Sequence, residues 1–454
     1  MQSLYRKTIV LRLQNIPFSE NTSSIPTFRA QFRQTLEPFI RQMIHLHKNI
    51  IKQQAARSIS DRIWDVVIIG AGPAGAIAAA HLAASNHRVL LLDRKRFPRE
   101  KVCGDGLLPG ALRCLDAIGV GEMVRAAGLK ISTCVLSSPS QNEVEIPGQY
   151  LTLKRSLLDM IVAHKAVERG AVFACGDVKR LAVEPDDLIS FMIQGIEKRF
   201  RARIGIVATG ANIQLLRKLN WSARKKPSGI GLRCYVRSSL VLDRLVVSFV
   251  IHDRFTVPGY GWIFPMRDQE YNIGFVILSL DRVRKDTINL KRKFKIFIDS
   301  FPLARKLIQK SDRTTALRAA ALRYDFEGVY SFGNGPIVAV GETIGTTLPF
   351  FGEGVGKAME SGQLAAEAIS KALESGDLSK LSPYGQQIES KFKTHYQGYR
   401  IAEKWLARPW LNDFILNRFG KSRYAKEILA GVIAETKNPQ DIFSLKGIIK
   451  TFWK

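Results

Sequence analysis

The sequence predicts a mixed α/β protein, α+β overall, with a parallel-sheet domain, an antiparallel-sheet domain and a C-terminal helical region. The first observation is the order of strand, glycine-rich turn, helix and strand in IWDVVIIG, AGPAGAIAAAHLAASN and HRVLLLDR. This unit starts at Ile63, and its continuously apolar first strand is typical of a buried parallel sheet. The second is a set of short alternating segments, among them ISTCVLSS, ISFMIQGI, RARIGIVATG, LVVSFVIH and NIGFVILS, which predict further, largely antiparallel strands. The third is the tail from about Ser382, which has helical spacing and many aromatic and basic residues.

Residues 1–60 differ from the rest and are predicted to be a basic N-terminal extension. They contain nine basic residues and only two acidic ones, Glu20 and Glu37. Between Leu36 and Ile51 apolar residues recur at helical spacing, which predicts a basic amphipathic helix suited to a membrane surface. A targeting extension and a disordered tail without function fit this pattern equally, so the three interpretations stay open.

The formal net charge of +28 calls for a partner or surface of opposite charge. No recognition helix, zinc finger or RNA-binding aromatic motif is present, and the basic residues are spread along the chain, so we predict no nucleic-acid partner. A membrane surface fits better, and no apolar run reaches the roughly 18 to 20 residues of a spanning helix, so attachment would be peripheral. The five cysteines lack metal-ligand spacing, which predicts no metal site and a reducing compartment: Cys103, Cys114, Cys134, Cys175 and Cys234.

The segment GAGPAG, Gly70 to Gly75, follows the first strand directly and opens a helix, as in a Rossmann-like dinucleotide site. Gly70 permits the tight turn, Gly72 lets the backbone approach a pyrophosphate, and Gly75 lets the helix pack against the sheet. Asp93 ends the next strand, where its carboxylate can accept hydrogen bonds from a ribose of NAD or FAD. A second glycine-rich helix start, GEGVGKAMESG after PIVAVGETIG, favours a flavin over NAD.

The segment GYGWIFP, Gly259 to Pro265, places three large rings on alternate positions. Successive side chains of a strand point to opposite faces, so Tyr260, Trp262 and Phe264 would form one aromatic wall. By itself the segment is most simply a core strand, and a wall that binds an apolar ligand is the alternative.

Together these motifs resemble the geranylgeranyl reductase family within the p-hydroxybenzoate hydroxylase-like FAD proteins. The resemblance rests on GAGPAG with Asp93, KVCGDGL, LKRSLLDMIVAHKAVERGA, YGWIFP followed by Gly274, and VGETIGTTLPFFGEGVGKAMESG, and it runs from about Ile63 to the C-terminus. It implies a Rossmann-like FAD-binding domain in two parts, residues 61–225 and 326–380, with an antiparallel-sheet substrate domain at 226–325 and a helical region at 381–454.

The resemblance also implies a set of cofactor-binding residues. The glycines of GAGPAG would hold the pyrophosphate, Arg155 would steady the phosphates, and Val178 would lie beside the adenine. Gly341 and Glu342 would meet the ribityl chain, although the family has aspartate where this chain has Glu342. The full set is Gly70, Gly72, Ala74, Gly75, Asp93, Arg94, Cys103, Gly104, Arg155, Val178, Gly341, Glu342, Gly354, Val355 and Gly356.

By the same resemblance, Cys103, Gly104 and Asp105 are the catalytic candidates beside the reactive face of the flavin. Asp105 is a candidate acid, whereas Cys103 is a gate, a redox thiol or a proton source, or simply a small packed residue. Tyr260, Trp262 and Phe264 would bind an isoprenoid tail.

The function implied is an FAD-dependent oxidoreductase that saturates C=C bonds of a geranylgeranyl or polyprenyl chain by hydride transfer from the reduced flavin N5. NADPH or reduced ferredoxin would be the electron donor. The partners would be an isoprenoid lipid and the cytoplasmic side of a thylakoid or plasma membrane, with the oligomeric state left open. A flavin monooxygenase or halogenase of the same fold, and a quinone-interacting electron-transfer flavoprotein, are the alternatives.

Overall fold

The computed structural model describes residue 59 and residues 62–224, 226–242, 246–251, 258–280, 289–406 and 408–453. The predicted N-terminal extension, residues 1–60, lies outside the described residues except for Ile59. The strands are β1 (Ile63–Ile69), β2 (Val89–Asp93), β3 (Gly106–Leu107), β4 (Leu129–Ser137), β5 (Glu143–Thr152), β6 (Val172–Cys175), β7 (Val178–Val183), β8 (Ile189–Ile193), β9 (Arg199–Val207), β10 (Gly229–Ser238), β11 (Val247–Val250), β12 (Gly259–Pro265), β13 (Glu270–Ile277), β14 (Ser311–Thr314), β15 (Arg318–Leu322), β16 (Gly333–Asn334) and β17 (Ile337–Ala339).

The helices connect and flank these strands. They are α1 (Pro73–Ala84), α2 (Pro109–Ala117), α3 (Gly121–Ala127), α4 (Arg155–Glu168), α5 (Gln214–Lys218), α6 (Leu290–Ser300), α7 (Pro302–Gln309), α8 (Val355–Ser375), α9 (Tyr384–Leu406), α10 (Pro409–Lys421), α11 (Arg423–Ile433), α12 (Gln440–Phe443) and α13 (Leu445–Trp453), with 3-10 turns at Gly341–Thr343 and Leu378–Leu381. Within the described ranges, none of these helices is both long and apolar enough to span a membrane.

The first sheet has the order β16-β17-β9-β1-β2-β6, and β8 and then β7 extend from β9. The pairs β1/β2, β1/β9, β2/β6 and β9/β17 are parallel, which is why β1 and β2 are apolar along almost their whole length. Helices α1 and α8 pack closely together beside this sheet, because Gly362 has no side chain: a Cβ there would lie 2.2 Å from the carbonyl oxygen of Ala74. The start of α1 therefore lies directly against the first part of α8.

The second sheet has the order β14-β10-β13-β12-β11-β4-β5-β3, with β15 also on β10, and all its pairs are antiparallel except β4/β11. Its strands β3, β4 and β5 come from residues 106–152, inside the first predicted FAD-binding segment. The chain thus crosses from the parallel sheet to the antiparallel sheet and back within that segment. The described fold confirms the predicted class, with a parallel sheet, an antiparallel sheet and a helical C-terminal region.

Strand β12 lies in the middle of the second sheet and is buried on both faces. One face packs on the helices α6 and α7: Ile263 belongs to a cluster with Phe294 and Phe297, and a Cβ at Gly261 would lie 2.7 Å from the Phe297 ring. The other face carries the alternating rings of Tyr260, Trp262 and Phe264. Helices α6 and α7 therefore support the sheet from behind and leave the aromatic face for the site.

Candidate functional site

A cavity of about 380 Å³ runs from the glycine-rich start of α1 to the aromatic face of β12. All of the predicted site residues line it except Gly75 and Gly356. The ones on the cavity wall are Gly70, Gly72, Ala74, Asp93, Arg94, Cys103, Gly104, Asp105, Arg155, Val178, Tyr260, Trp262, Phe264, Gly341, Glu342, Gly354 and Val355. The structure therefore brings the predicted cofactor residues and the predicted substrate residues to one continuous space.

The three glycines before α1 differ in what they contact. A Cβ at Gly70 would lie 2.2 Å from the Ala208 carbonyl oxygen, and one at Gly75 would lie 1.9 Å from the Gly70 carbonyl oxygen, so both are required by packing. Gly72 is different, since its nearest heavy atom would be an Arg99 side-chain nitrogen 3.8 Å away. Its φ of −77° is also open to any residue. Space that protein does not fill, next to a helix start without a side-chain cap, fits the pyrophosphate of FAD.

Asp93 holds the loops around this helix start. Its Oδ2 accepts a hydrogen bond from the Ala71 amide (3.1 Å) and pairs with the Nε of Arg99 (3.1 Å), while Oδ1 accepts from the Lys95 amide (2.9 Å). The carboxylate that is predicted to meet the ribose therefore also braces the turn after β1.

Arg155 is buried and does not stand alone. Its guanidinium donates two hydrogen bonds to Asp159, at 2.7 and 3.0 Å, and Arg99 reaches the same carboxylate at 3.0 Å. Burial is the largest single influence and disfavours the cation, but Asp159 and Cys103 together outweigh it and raise the pKa of Arg155. The sequence reasoning missed Arg99, whose signal is an arginine six residues after Asp93. Arg99 is the guanidinium nearest the Gly72 cradle, so it is a further candidate for the cofactor's phosphates.

Asp105 anchors the KVCGDG loop to the antiparallel sheet. It has a φ of +64° and no exposed surface, and its carboxylate accepts hydrogen bonds from Tyr235 Oη (2.5 Å), Asn272 Nδ2 (2.9 Å) and the Arg155 amide (3.1 Å). Burial raises the pKa of Asp105, and the hydrogen bond from Tyr235 is the largest contribution in the opposite direction. The network gives Asp105 a positioning role, and its role as an acid stays a prediction.

Cys103 lies at the cavity wall two residues before this anchor. Burial raises the pKa of its thiol, and the nearby Arg155 guanidinium acts in the opposite direction. A raised pKa keeps the group a neutral thiol near neutral pH, which suits a packed or proton-bearing group rather than a nucleophile. Its carbonyl oxygen accepts a hydrogen bond from Asn272 Nδ2 (2.8 Å).

Two sets of glycines make room for the aromatic wall. A Cβ at Gly104 or Gly106 would lie 3.2 Å from the Phe264 ring, so the KVCGDG loop packs directly on that ring. Gly274 pairs with Trp262 across β12 and β13, and a Cβ there would lie 2.4 Å from the indole, which therefore lies across the glycine. The indole Nε1 donates to Asn272 Oδ1 (2.9 Å). Asn272 thus ties the wall to the loop.

Two more rings complete the aromatic end of the cavity. Phe249, on β11, has its ring centroid 5.3 Å from Tyr260, 5.2 Å from Phe264 and 6.0 Å from Phe351. Tyr260 donates its hydroxyl hydrogen to the Phe351 carbonyl oxygen. Sequence reasoning missed both phenylalanines. Phe249 lies in the predicted strand LVVSFVIH and Phe351 in the segment TTLPFFGEG, and neither local pattern gives the strand register or the neighbouring residues.

Glu342, where the related pattern has aspartate, lies in the 3-10 turn after β17. Its Oε2 lies 3.6 Å from Lys101 Nζ, and its Oε1 accepts from the Arg323 amide (3.3 Å). The Glu342 side chain thus pairs with the KVCGDG loop, and its contact with the ribityl chain stays a prediction. Gly341 beside it has a φ of +68°, and its Cβ would lie 2.8 Å from that of Ala74.

A charged group that the sequence did not reveal lies at the start of α8. Glu353 Oε1 accepts a hydrogen bond from the Gly356 amide (2.6 Å), while its buried Oε2 has no hydrogen-bond partner among the described residues. Burial first, and then the charge of Glu435, raise the pKa of Glu353 to about 7. Lys357 links the group by pairing with both Glu435 (2.9 Å) and Glu360 (3.1 Å).

Comparison with known proteins identifies an FAD binding domain and reductases among the relatives. Residues 64–187 match the model of an FAD binding domain. The menaquinone reductase of Mycobacterium tuberculosis H37Rv is 33% identical over 337 residues, which cover 70% of this chain and 78% of the relative. Digeranylgeranylglycerophospholipid reductase 1 of Methanopyrus kandleri is 26% identical over 399 residues, covering 86% and 99%.

Solved structures share the fold. A geranylgeranyl bacteriochlorophyll reductase-like protein of Thermoplasma acidophilum superimposes with a TM-score of 0.68 at 20% identity, covering 87% of this chain and 96% of that one. A flavin-dependent brominase gives a TM-score of 0.69 at 21% identity, covering 86% and 98%. At these identities the structures establish the fold alone.

Proposed function

Because the chain belongs to the FAD-binding reductase family that includes menaquinone reductases and digeranylgeranylglycerophospholipid reductases, we propose that it saturates carbon–carbon double bonds in a polyprenyl chain. The observation that carries the proposal is the single cavity that joins the Gly72 cradle to the rings around Phe249. A cofactor half and an apolar half in one space are what a reaction between a flavin and a lipid chain requires.

The residues present fit FAD. The amides at the start of α1 and the space above Gly72 would hold the pyrophosphate, Asp93 the ribose, and the start of α8 at Gly354 and Val355 the flavin ring. Arg99 would add positive charge beside the phosphates. When bound and reduced, FAD supplies the hydride that a carbon–carbon double bond needs.

The protein's own side chains have three tasks. The five rings of the aromatic end bind the apolar chain and exclude water from the reacting carbons: Phe249, Tyr260, Trp262, Phe264 and Phe351. The bonds from Asn272 to Trp262, Cys103 and Asp105 hold the wall and the KVCGDG loop at a fixed separation. Cys103, as a neutral thiol at the wall, holds a proton close to the aromatic end.

NADPH or reduced ferredoxin is proposed as the electron donor, and the site of action as the cytoplasmic side of a thylakoid or plasma membrane, with the protein attached peripherally. The net charge of +28 and the apolar substrate support the membrane assignment.

The test uses the FAD-loaded full-length protein, reduced without oxygen, with geranylgeranyl diphosphate and with a menaquinone. We expect products that are heavier by pairs of hydrogens in mass spectrometry. Phe249→Ala should raise the KM for the prenyl substrate and leave the FAD affinity unchanged, whereas Tyr330→Ala, at an exposed ring, should change neither. A protein that turns over only with oxygen would instead be a monooxygenase or halogenase, the second candidate, since a flavin-dependent brominase has the same fold.

A further inference from the structure

The two helices α10 and α13 expose an unusual number of large apolar side chains. We call this surface the C-terminal apolar face, and its members, with their exposed fractions, are Trp410 (68%), Phe414 (51%), Leu445 (81%), Ile449 (58%), Phe452 (50%) and Trp453 (85%). In the part of the chain that the structure describes, only four other large apolar residues are exposed, and two of them, Ile63 (39%) and Val183 (46%), are less exposed than any member of the face; none of the four lies on either helix. The face is therefore a cluster and not a scatter of single residues.

The cluster is continuous across the two helices. The rings of Phe414 and Phe452 have centroids 6.3 Å apart, and the Arg418 guanidinium lies 4.6 Å from the Phe452 ring. The opposite sides of the helices are occupied by packing: α10 buries Ile415, Leu416 and Phe419, and α13 buries Gly447 and Thr451. This packing leaves half or more of each side chain of the face uncovered.

The charges on this surface are positive. Lys446 and Lys450 are exposed on α13, and Arg408 and Lys421 are exposed at the two ends of α10. Helix α13 contains no acidic residue. The acidic residue of α10, Asp413, accepts hydrogen bonds from the Ser138 hydroxyl (2.6 Å) and the Ser140 amide (2.8 Å). A surface with exposed tryptophan, phenylalanine and lysine, and no free carboxylate on either helix, matches the interface of an anionic bilayer.

A chain of ring contacts leads from this surface towards the cavity. Phe351 lines the cavity, its ring centroid is 4.7 Å from that of Phe350, and Phe350 is 5.3 Å from Phe443. Phe443 ends α12, and only Ser444 separates it from the start of α13 at Leu445. Apolar side chains therefore connect the aromatic end of the cavity to the start of the exposed face.

We propose that the C-terminal apolar face docks the protein on an anionic lipid bilayer and that the Phe351–Phe350–Phe443 path guides a membrane-held prenyl chain to the cavity. Docking follows from the exposure and charge of the face, whereas guidance of a prenyl chain also rests on the proposed function. A second copy of the chain is the competing occupant of the face.

Docking is tested by co-sedimentation of the FAD-loaded full-length protein with vesicles, without prenyl substrate. The vesicles are phosphatidylcholine alone or phosphatidylcholine with phosphatidylglycerol. We expect binding that requires the anionic lipid and falls with salt, and that weakens about 10-fold or more in the double variant Ile449→Glu and Trp453→Glu. The double variant Val241→Glu and Tyr330→Glu adds the same charge at exposed apolar residues outside the face and should keep most of the affinity.

Each outcome has one meaning. Equal binding of both double variants would overturn the proposal and assign membrane binding elsewhere, for example to residues 1–60, which all variants retain. A wild-type dimer that the Ile449/Trp453 variant converts to a monomer, without vesicle binding, would assign the face to a second copy. Prenyl saturation in detergent is measured separately, so a failed activity assay leaves the docking result interpretable.

Discussion

The substitution Gly72→Ala separates the cofactor-binding glycine from the structural ones. Gly72 has an extended backbone, and an added Cβ would have one protein neighbour within 4 Å, at 3.8 Å, so alanine fits the protein by itself. Replacing a glycine at a helix N-cap destabilises the folded protein slightly, whereas the smaller entropy of the unfolded chain stabilises it. The apo-protein's free energy of unfolding should therefore change by less than about 1 kcal/mol.

The cost should appear in FAD binding. A methyl group in the cradle displaces the pyrophosphate from the amides at the start of α1, and a weakened charge-assisted hydrogen bond costs about 1.5–3 kcal/mol. This corresponds to an FAD affinity that is roughly 10- to 100-fold weaker.

The assay is a fluorescence titration of the apo-protein with FAD, combined with denaturant unfolding of the apo-protein. Gly75→Ala is the matched control, because its Cβ would lie 1.9 Å from the Gly70 carbonyl oxygen and must destabilise the apo-protein. Wild-type FAD affinity in Gly72→Ala, or an apo-protein as unstable as that of Gly75→Ala, would refute the reasoning.

Three further substitutions test other parts of the site. The pKa of Glu353 is raised from 4.5 to about 7, so the folded protein retains a proton that the unfolded chain has lost, and stability falls as the pH rises from about 4.5 to about 7. Between pH 5 and 8 the wild type should lose roughly 2–3 kcal/mol more than Glu353→Gln in denaturant unfolding, and parallel profiles would contradict this. Gly274→Ala should lower the free energy of unfolding by about 1–3 kcal/mol in the same assay, because the added Cβ would lie 2.4 Å from the Trp262 indole and from a backbone carbonyl oxygen. Gly385→Ala is the control and should not destabilise the protein, because its Cβ would make ordinary contacts at 3.7 Å within a helix. Tyr235→Phe removes a donor from a buried carboxylate and should cost about 1–3 kcal/mol in thermal unfolding; an unchanged melting temperature would show that Asp105 does not depend on that bond.

The sequence predicts those features that local patterns determine. The turn at Gly70, the helix after it and the alternation of rings along β12 each follow from short-range rules of backbone freedom and strand periodicity. The same rules place Asp93 at the end of its strand. The predicted roles of individual residues towards FAD and substrate stay predictions.

What the sequence could not give depends on contacts between distant segments. Asn272 joins the wall to the KVCGDG loop over 169 residues of sequence, and nothing in its own segment marks it. Glu435, two residues after the end of α11, pairs with Lys357 at the start of α8. Such pairs are set by how the two sheets and the C-terminal helices pack, and no local pattern encodes that packing.

The two faces of strand β12 also bear on how substrate range could change. Gly261 and Ile263 face the supporting helices, where a change of volume costs folding energy, whereas the even-numbered rings face the cavity. Substitutions at positions 260, 262 and 264 would change the cavity wall while leaving Gly261 and Ile263 in contact with the supporting helices. Because the three rings are themselves buried, smaller side chains there would widen the cavity only at a cost in folding free energy.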